Sequence, residues 1–286
     1  MRLGIAVVVA TTLSACSDRS PVASEQRSAI DLKSYHLAEG PIRLQEIDDN
    51  ASGLTWDWDS NTLVGIINDP PAIFRMDMSG AVITEPVSLD PLTDTEGVTY
   101  TGHARYLVTE ERRGRIATIR WESANTVELE ERQTLDDMPW AARLNRGLEG
   151  IVWNPLDGSI RTVSEASPRS MWHIAAKRDP QTTPRLDGCQ GASGLSDWAG
   201  LAQVPGTAHF LLLSEESSVV AELDALCRRV DSLDLNGNSG SQSIPQAEGI
   251  VVDGQCQIWV LSEPNLLYRF ASSKPCKFAM ENPHDI

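Results

Sequence analysis

The sequence predicts an all-β chain wound into a five-bladed β-propeller, and three observations carry that expectation. A small or acidic residue, then Gly, then an apolar residue recurs at Ser52-Gly53-Leu54, Glu96-Gly97-Val98, Glu149-Gly150-Ile151, Ala199-Gly200-Leu201 and Glu248-Gly249-Ile250, with the glycines 44, 53, 50 and 49 residues apart. Each Gly opens a short β-rich run and then a turn: Asp59-Ser60-Asn61, Thr101-Gly102-His103, Asp157-Gly158, Pro205-Gly206 or Asp253-Gly254. A second apolar run ending in an acid follows each turn. Sustained helical periodicity is nearly absent. Two strands joined by a Gly-containing turn form a hairpin, and three or four strands in about fifty residues match a propeller blade.

Taken from the N-terminus, Arg2 and the short apolar run 3–13 precede Leu13-Ser14-Ala15-Cys16. The run falls short of the roughly 20 residues that cross a bilayer and suits a secretory leader. The tetrapeptide resembles the lipobox of bacterial lipoproteins. Residues 1–15 are thus expected to be removed and Cys16 to be acylated, with 16–40 a flexible tether and 41–286 the propeller. Several acyl chains on one residue hold a protein to a membrane stably. Ser17 in place of an Asp after the Cys points to a Gram-negative outer membrane, facing the periplasm.

Within the propeller, blades are expected to start near Gly53, Gly97, Gly150, Gly200 and Gly249. The last of these leaves too little chain for a full blade. The segment 41–47 alternates apolar with polar and is expected to supply its outer strand, closing the ring and removing two open edges.

Four further cysteines suit an exported protein with two disulfides, and three pairings are open. The turn holding Cys256 and the segment holding Cys276 should share one end of the last blade. That favours Cys256–Cys276 and leaves Cys189–Cys227. No C-x-x-C spacing suggests a zinc ribbon.

Charge bounds the function. With 24 Lys and Arg against 40 Asp and Glu, the chain carries a net −16. That argues strongly against nucleic-acid recognition, which runs on clustered cations. In an antiparallel hairpin the start of the first strand and the end of the second share one end. Two rings of residues should therefore meet at one channel mouth. The inner reads Ser52, Glu96, Glu149, Ala199, Glu248. The second reads Asp69, Glu110, Glu165, Glu215, Glu263, at 16, 13, 15, 15 and 14 residues past the glycines. Crowded carboxylates either take up protons or bind a cation. Hard oxygen ligands suit Ca²⁺, with Mg²⁺ or Mn²⁺ also open. Glu96, Glu149 and Glu248 are the expected ligands; Ser52 and the second ring are the expected outer shell or additional ligands. Arg112 and Arg146 are candidates to hold an anion beside the metal, though neutralising nearby Glu is the plainer role.

Read in order, several segments resemble the SdiA-regulated family of bacterial exported proteins. They are Asn50-Ala51-Ser52-Gly53-Leu54-Thr55-Trp56-Asp57, Asp94-Thr95-Glu96-Gly97-Val98-Thr99-Tyr100, Glu110-Glu111-Arg112-Arg113-Gly114-Arg115-Ile116, Asn145-Arg146-Gly147-Leu148-Glu149-Gly150, Gln246-Ala247-Glu248-Gly249-Ile250 and Ser262-Glu263-Pro264-Asn265-Leu266. The resemblance implies a five-bladed propeller, distantly related to NHL-repeat proteins, with a bound calcium. More distantly, Glu-Gly-apolar-x-aromatic is similar to the metal-binding strand start of gluconolactonase-like propellers. It implies no particular substrate. The expectation is a monomeric envelope module that binds a small molecule or an envelope protein, touching the membrane through its anchor alone. The alternative is a metal-dependent esterase, lactonase or phosphoesterase at the channel mouth.

Overall fold

The computed structural model describes residues 28–123, 125–134, 147–164, 171–176, 189, 194–236 and 244–276. Three expected positions, Cys16, Arg146 and Glu165, lie outside the described residues.

Five antiparallel sheets are arranged as the blades of a propeller. The first blade runs β2 (Ala51–Asp57), β3 (Thr62–Ile67), β4 (Ala72–Met76) and β5 (Val82–Ser88), after an opening strand β1 (Tyr35–Arg43) that belongs elsewhere. The second holds β6 (Thr95–Gly102), β7 (Arg105–Glu110), β8 (Arg115–Ser123) and β9 (Thr126–Thr134). Among the described residues the third has β10 (Leu148–Trp153), β11 (Ile160–Ser164) and β12 (Met171–Ile174). The fourth has β13 (Gly200–Gln203), β14 (Phe210–Ser214), β15 (Val219–Leu223) and β16 (Arg229–Asp234). The fifth has β17 (Ala247–Val252), β18 (Ile258–Ser262) and β19 (Leu266–Ser272), completed by β1 in the order β1-β19-β18-β17.

The innermost strands β2, β6, β10, β13 and β17 touch one another in a closed cycle. That closeness explains the repeating Gly. A Cβ at Gly97 would stand 2.3 Å from the Glu149 carbonyl oxygen, and one at Gly249 would stand 2.5 Å from that of Ser52. No side chain fits there, so each inner strand carries Gly where its neighbour's backbone passes. Hydrophobic layers fill the seams between blades. Trp56, Trp259, Leu261 and Met76 pack between the fifth and first blades, and Val64, Tyr106 and Trp121 between the first and second. Each fully buried aliphatic or aromatic side chain contributes about 1.5–3 kcal/mol.

The ring closes as expected, but with different bounds. The closing strand is Tyr35–Arg43 rather than 41–47. Tyr35 is buried and its hydroxyl donates to the Cys256 carbonyl at 2.6 Å. Leu44 and Ile47, whose alternation suggests a strand, leave the sheet and plug the seam beneath β2; the Leu44 amide donates to the Asn265 carbonyl at 2.9 Å. The structured chain also begins earlier than the expected tether end at residue 40. Ile30 and Leu32 are 3% and 0% exposed and sit in the core between the fourth and fifth blades.

Disulfides join Cys189 to Cys227 and Cys256 to Cys276, which suits an oxidising compartment. Among the described residues no helix is long and apolar enough to cross a membrane.

Candidate functional site

Four of the inner strands start with the same irregularity. Pairing with the second strand slips between Ala51 and Leu54, Thr95 and Val98, Leu148 and Ile151, and Ala247 and Gly249. Each slip is a β-bulge at the residue before Gly and the Gly itself, and a bulge re-aims the side chain it contains. It turns Ser52, Glu96, Glu149 and Glu248 at one end of the ring. The residues two before Ser52, Glu96 and Glu248 are Asn50, Asp94 and Gln246, and all three have left-handed backbone, with φ of 59°, 57° and 32°. Their carbonyls accept the amides of Asn68, Glu111 and Glu263, at 3.0, 2.8 and 3.0 Å.

That pairing sets which second-strand residues reach the mouth. Asn68 and Glu111 stand opposite the strand starts, one residue beyond Ile67 and Glu110 in the ladder. A shift of one residue turns a side chain to the other face. Glu110 is fully buried within its blade, where it accepts from Arg115 Nη2 at 2.9 Å and the Thr93 amide at 3.1 Å, with Arg132 Nε at 3.6 Å. Asp69 is exposed. Glu215 and Glu263 are half-buried, and burial pushes both carboxyls upward. Asp197 adds to the effect at Glu215, and Asp49 adds to it at Glu263.

Asp94, Glu96 and Glu111 form the group. Their carboxylate oxygens lie within 4.8 Å of one another, and all three come from the second blade. Glu149 and Glu248, expected to converge with Glu96, stand outside this set. Glu149 is buried at the start of β10, its carbonyl accepting from Thr109 Oγ1 at 3.0 Å, while the half-buried Glu248 is near enough for its charge to act on Glu96. Burial, opposed by the Ser52 hydrogen bond and reinforced by Glu111, Glu248 and Asp94, pushes Glu96 up to about 8. Burial also pushes Glu111 up to about 7, with a hydrogen bond to the Asp94 carboxyl working in the same sense.

Neutral donors face this group from the first blade. Ser52 Oγ donates to Glu96 Oε2 at 2.7 Å and Asn68 Nδ2 donates to Glu96 Oε1. From the third blade, the Gly147 amide just before β10 reaches Glu111 Oε1 at 3.1 Å across the next seam. Arg112 lies on the exposed side, its Nε 3.3 Å from Asp94 Oδ2 and 3.9 Å from Glu111 Oε2. Those contacts serve the neutralising role. Beside it opens a cleft of ≈ 550 Å³ between Asn68, Asp69, Asp94 and Arg112.

Asp94 and Glu111 are the members that the repeat alignment missed. A signal for Glu111 was present. Counting from each Gly to Asn68, Glu111, Glu165, Glu215 and Glu263 gives 15, 14, 15, 15 and 14 residues, a more even spacing than with Asp69 and Glu110. For Asp94 the signal is the polar residue two before the ring position, shared with Asn50 and Gln246.

A family model described as SdiA-regulated matches residues 27–271. Among solved structures, a glutaminyl cyclase from Myxococcus xanthus is similar at 15% identity, covering 83% of this chain and 95% of its own, with a TM-score of 0.57. A Bacteroides thetaiotaomicron protein is similar at 10% identity, 83% and 75% coverage and a TM-score of 0.55. A luciferin-regenerating enzyme is similar at 17% identity, 82% and 80% coverage and a TM-score of 0.51. Likenesses this distant describe the fold alone.

Proposed function

Since the chain belongs to the SdiA-regulated family, we propose that it is an exported, lipid-anchored propeller that holds a divalent cation, Ca²⁺ foremost, and serves the envelope as a binding or scaffold module. One observation carries the cation. Three carboxylates within 4.8 Å of one another, two of them pushed well above the usual carboxylate range, are costly to ionise together without a dication. Asp94, Glu96 and Glu111 would hold the ion, and Ser52 and Asn68 fix the Glu96 carboxylate from behind. An all-oxygen donor set of carboxylates suits Ca²⁺, Mg²⁺ or Mn²⁺ over softer metals. The test is calorimetric titration of chelator-stripped protein with Ca²⁺. Binding at one site, lost in Glu111→Gln and kept in Glu215→Gln, is the expected result; no heat and no thermal stabilisation by any of the three ions refutes the reading.

The cleft beside the group favours a second reading, a metal-dependent hydrolase, because it leaves room for a substrate next to Asp94 and Arg112. A bound ion would polarise a carbonyl or phosphoryl oxygen, Arg112 would face an anionic part of the substrate, and an acid of the group would move the proton. Turnover of an ester, lactone or phosphoester that chelation abolishes and Arg112→Ala weakens would support it. Calcium binding without any turnover leaves the module reading in place.

A further inference from the structure

The two ends of the propeller differ in a way the cation site does not use. Strand directions place the strand starts, and hence the acids, at one end, and the first hairpin turn of each blade at the other. The described chain enters at the turn end. Tyr35 opens β1 beside the turn that carries Cys256, opposite Glu248. Just before it, Ser28–Ile30 is pinned to the lower part of the fourth blade by a fully buried acid, Glu222. Its carboxylate accepts the Ala29 amide at 2.6 Å, the Ile30 amide at 3.4 Å and the Ser28 hydroxyl, and lies 2.6 Å from His209 Nδ1.

Turns at this end share one construction. The last polar residue of a strand folds its side chain back onto the amides of the turn. Asp224 accepts the Leu226 and Arg228 amides at 2.9 Å each, Asn154 accepts the Leu156 amide at 3.0 Å, and Asp253 accepts the Gln255 amide at 2.7 Å. Asp57 does the same for Asp59 and Ser60, both at 3.0 Å. These acids are thereby buried, Asp57 at 3% exposure, Asp224 at 6% and Asp253 at 0%. The tips they hold up include Leu156 and Leu226, the two most exposed large hydrophobic residues among the described ones, at 53% and 72%. The turn end thus buries Asp57, Asp224 and Asp253, leaves Asp59, Glu122 and Asp157 exposed but scattered over separate turns, and presents leucines, while the opposite end gathers Asp69, Asp94, Glu111, Glu215 and Glu263.

We infer that the turn end is apposed to a phospholipid bilayer, with the Leu156 and Leu226 tips at the lipid interface and the acidic mouth directed away from it. The inference rests on the lipid-anchor reading of Cys16. Ser28 follows Cys16 by twelve residues, which span at most about 40 Å at full extension. A tether of that reach, leaving from the turn end, keeps that end within range of the membrane. An anionic leaflet attracts basic segments and repels clustered acids within a Debye length of about 10 Å, which favours the same orientation. A leucine tip entering the interface adds apolar burial to the anchor.

Photo-crosslinking tests this on the full chain, expressed with its leader and reconstituted in phosphatidylethanolamine–phosphatidylglycerol vesicles that contain a diazirine phospholipid. Mass spectrometry reads both the acyl mass on Cys16 and the peptides that carry lipid adducts. Adducts on the turns 154–159 and 224–228, reduced several-fold when Leu156→Ser and Leu226→Ser are combined, are expected. Adducts on 68–71, 111–114 or 263–266, or on neither end, overturn the inference while an acylated Cys16 leaves the anchor standing. An unmodified Cys16 overturns the anchor and this inference together.

Discussion

The raised carboxyls at the mouth make the cation-free protein lose stability as pH rises, the reverse of ordinary acid denaturation. Glu96 moves from an ordinary 4.5 to about 8 on folding, chiefly because it is buried. Between those values the folded chain holds about one proton more than the unfolded chain. The unfolding free energy then falls with pH by about 1.4 kcal/mol per unit for each such proton. From pH 5 to pH 7 Glu96 alone accounts for a loss of about 3 kcal/mol, which for a protein of this length lowers Tm by roughly 6–12 °C. Glu111, raised to about 7, acts in the same direction until its own proton leaves. The stabilisation is fully present below the unfolded value and is gone once pH passes the folded one. Calcium opposes the trend, since a bound ion favours the ionised carboxylates and displaces their protons. Thermal unfolding at pH 5, 6, 7 and 8, in chelator and then in excess Ca²⁺, measures the effect. A falling Tm in chelator, a flatter profile in Ca²⁺ and a flattened chelator profile in Glu96→Gln are expected. A Tm that stays level or climbs from pH 5 to 8 without metal would refute the argument from burial.

Adjacent acids give a sharp contrast. Glu111→Gln should weaken calcium binding by tenfold or more, about 1.4 kcal/mol, and, because it removes a carboxyl pushed up to about 7, should raise the Tm in chelator at pH 7 while leaving it nearly unchanged at pH 5. Glu110→Ala, which leaves Arg115 and Arg132 without their buried partner, should cost about 3 kcal/mol of stability and leave calorimetric calcium affinity unchanged. Gly97→Ala, whose new methyl would meet the Glu149 carbonyl at 2.3 Å, should destabilise by more than about 2 kcal/mol in a denaturant melt. Gly254→Ala, where the nearest atom is the Trp56 indole at 3.5 Å, should stay within about 0.5 kcal/mol of the parent.

The ring was legible because its physical demand falls on one residue type. Each inner strand passes so close to the next that only Gly fits, and the requirement leaves a mark at near-constant spacing. The acid at the end of the second strand was less legible, because a hairpin tolerates turns of different length and its register is fixed by the ladder. Glu110 and Glu111 are both acids; the more even spacing from the glycines favours the second, and the pairing of Thr95 with Glu110 fixes it at the mouth. The closing strand was misplaced for a related reason. Leu44 and Ile47 carry an apolar alternation that serves a plug, while Ser28, Asp31, Lys33 and Ser34 give the entry segment a polar composition that hides two core residues, Ile30 and Leu32. Composition averages over the residues that matter there, and burial does not.

A fivefold scaffold yields an unsymmetrical site because corresponding positions carry different charges. In the first blade the three positions around the mouth are Asn50, Ser52 and Asn68, all neutral; in the second they are Asp94, Glu96 and Glu111. Two carboxylates about 5 Å apart repel by about 3 kcal/mol at an effective dielectric near 20. Hydrogen bonds from Ser52 and Asn68 recover part of that for Glu96, each net favourable by about 1–3 kcal/mol to a charged acceptor. They reach one carboxylate of the three; the Gly147 amide and the exposed Arg112 offset part of the charge on Glu111 and Asp94, and the repulsion left over is met by protons or by a dication. Had the first blade carried acids at these positions, the charge would have spread around the channel and no single seam would have been favoured. The neutral blade beside the acidic one confines the demand for a cation to the second blade's side of their shared seam.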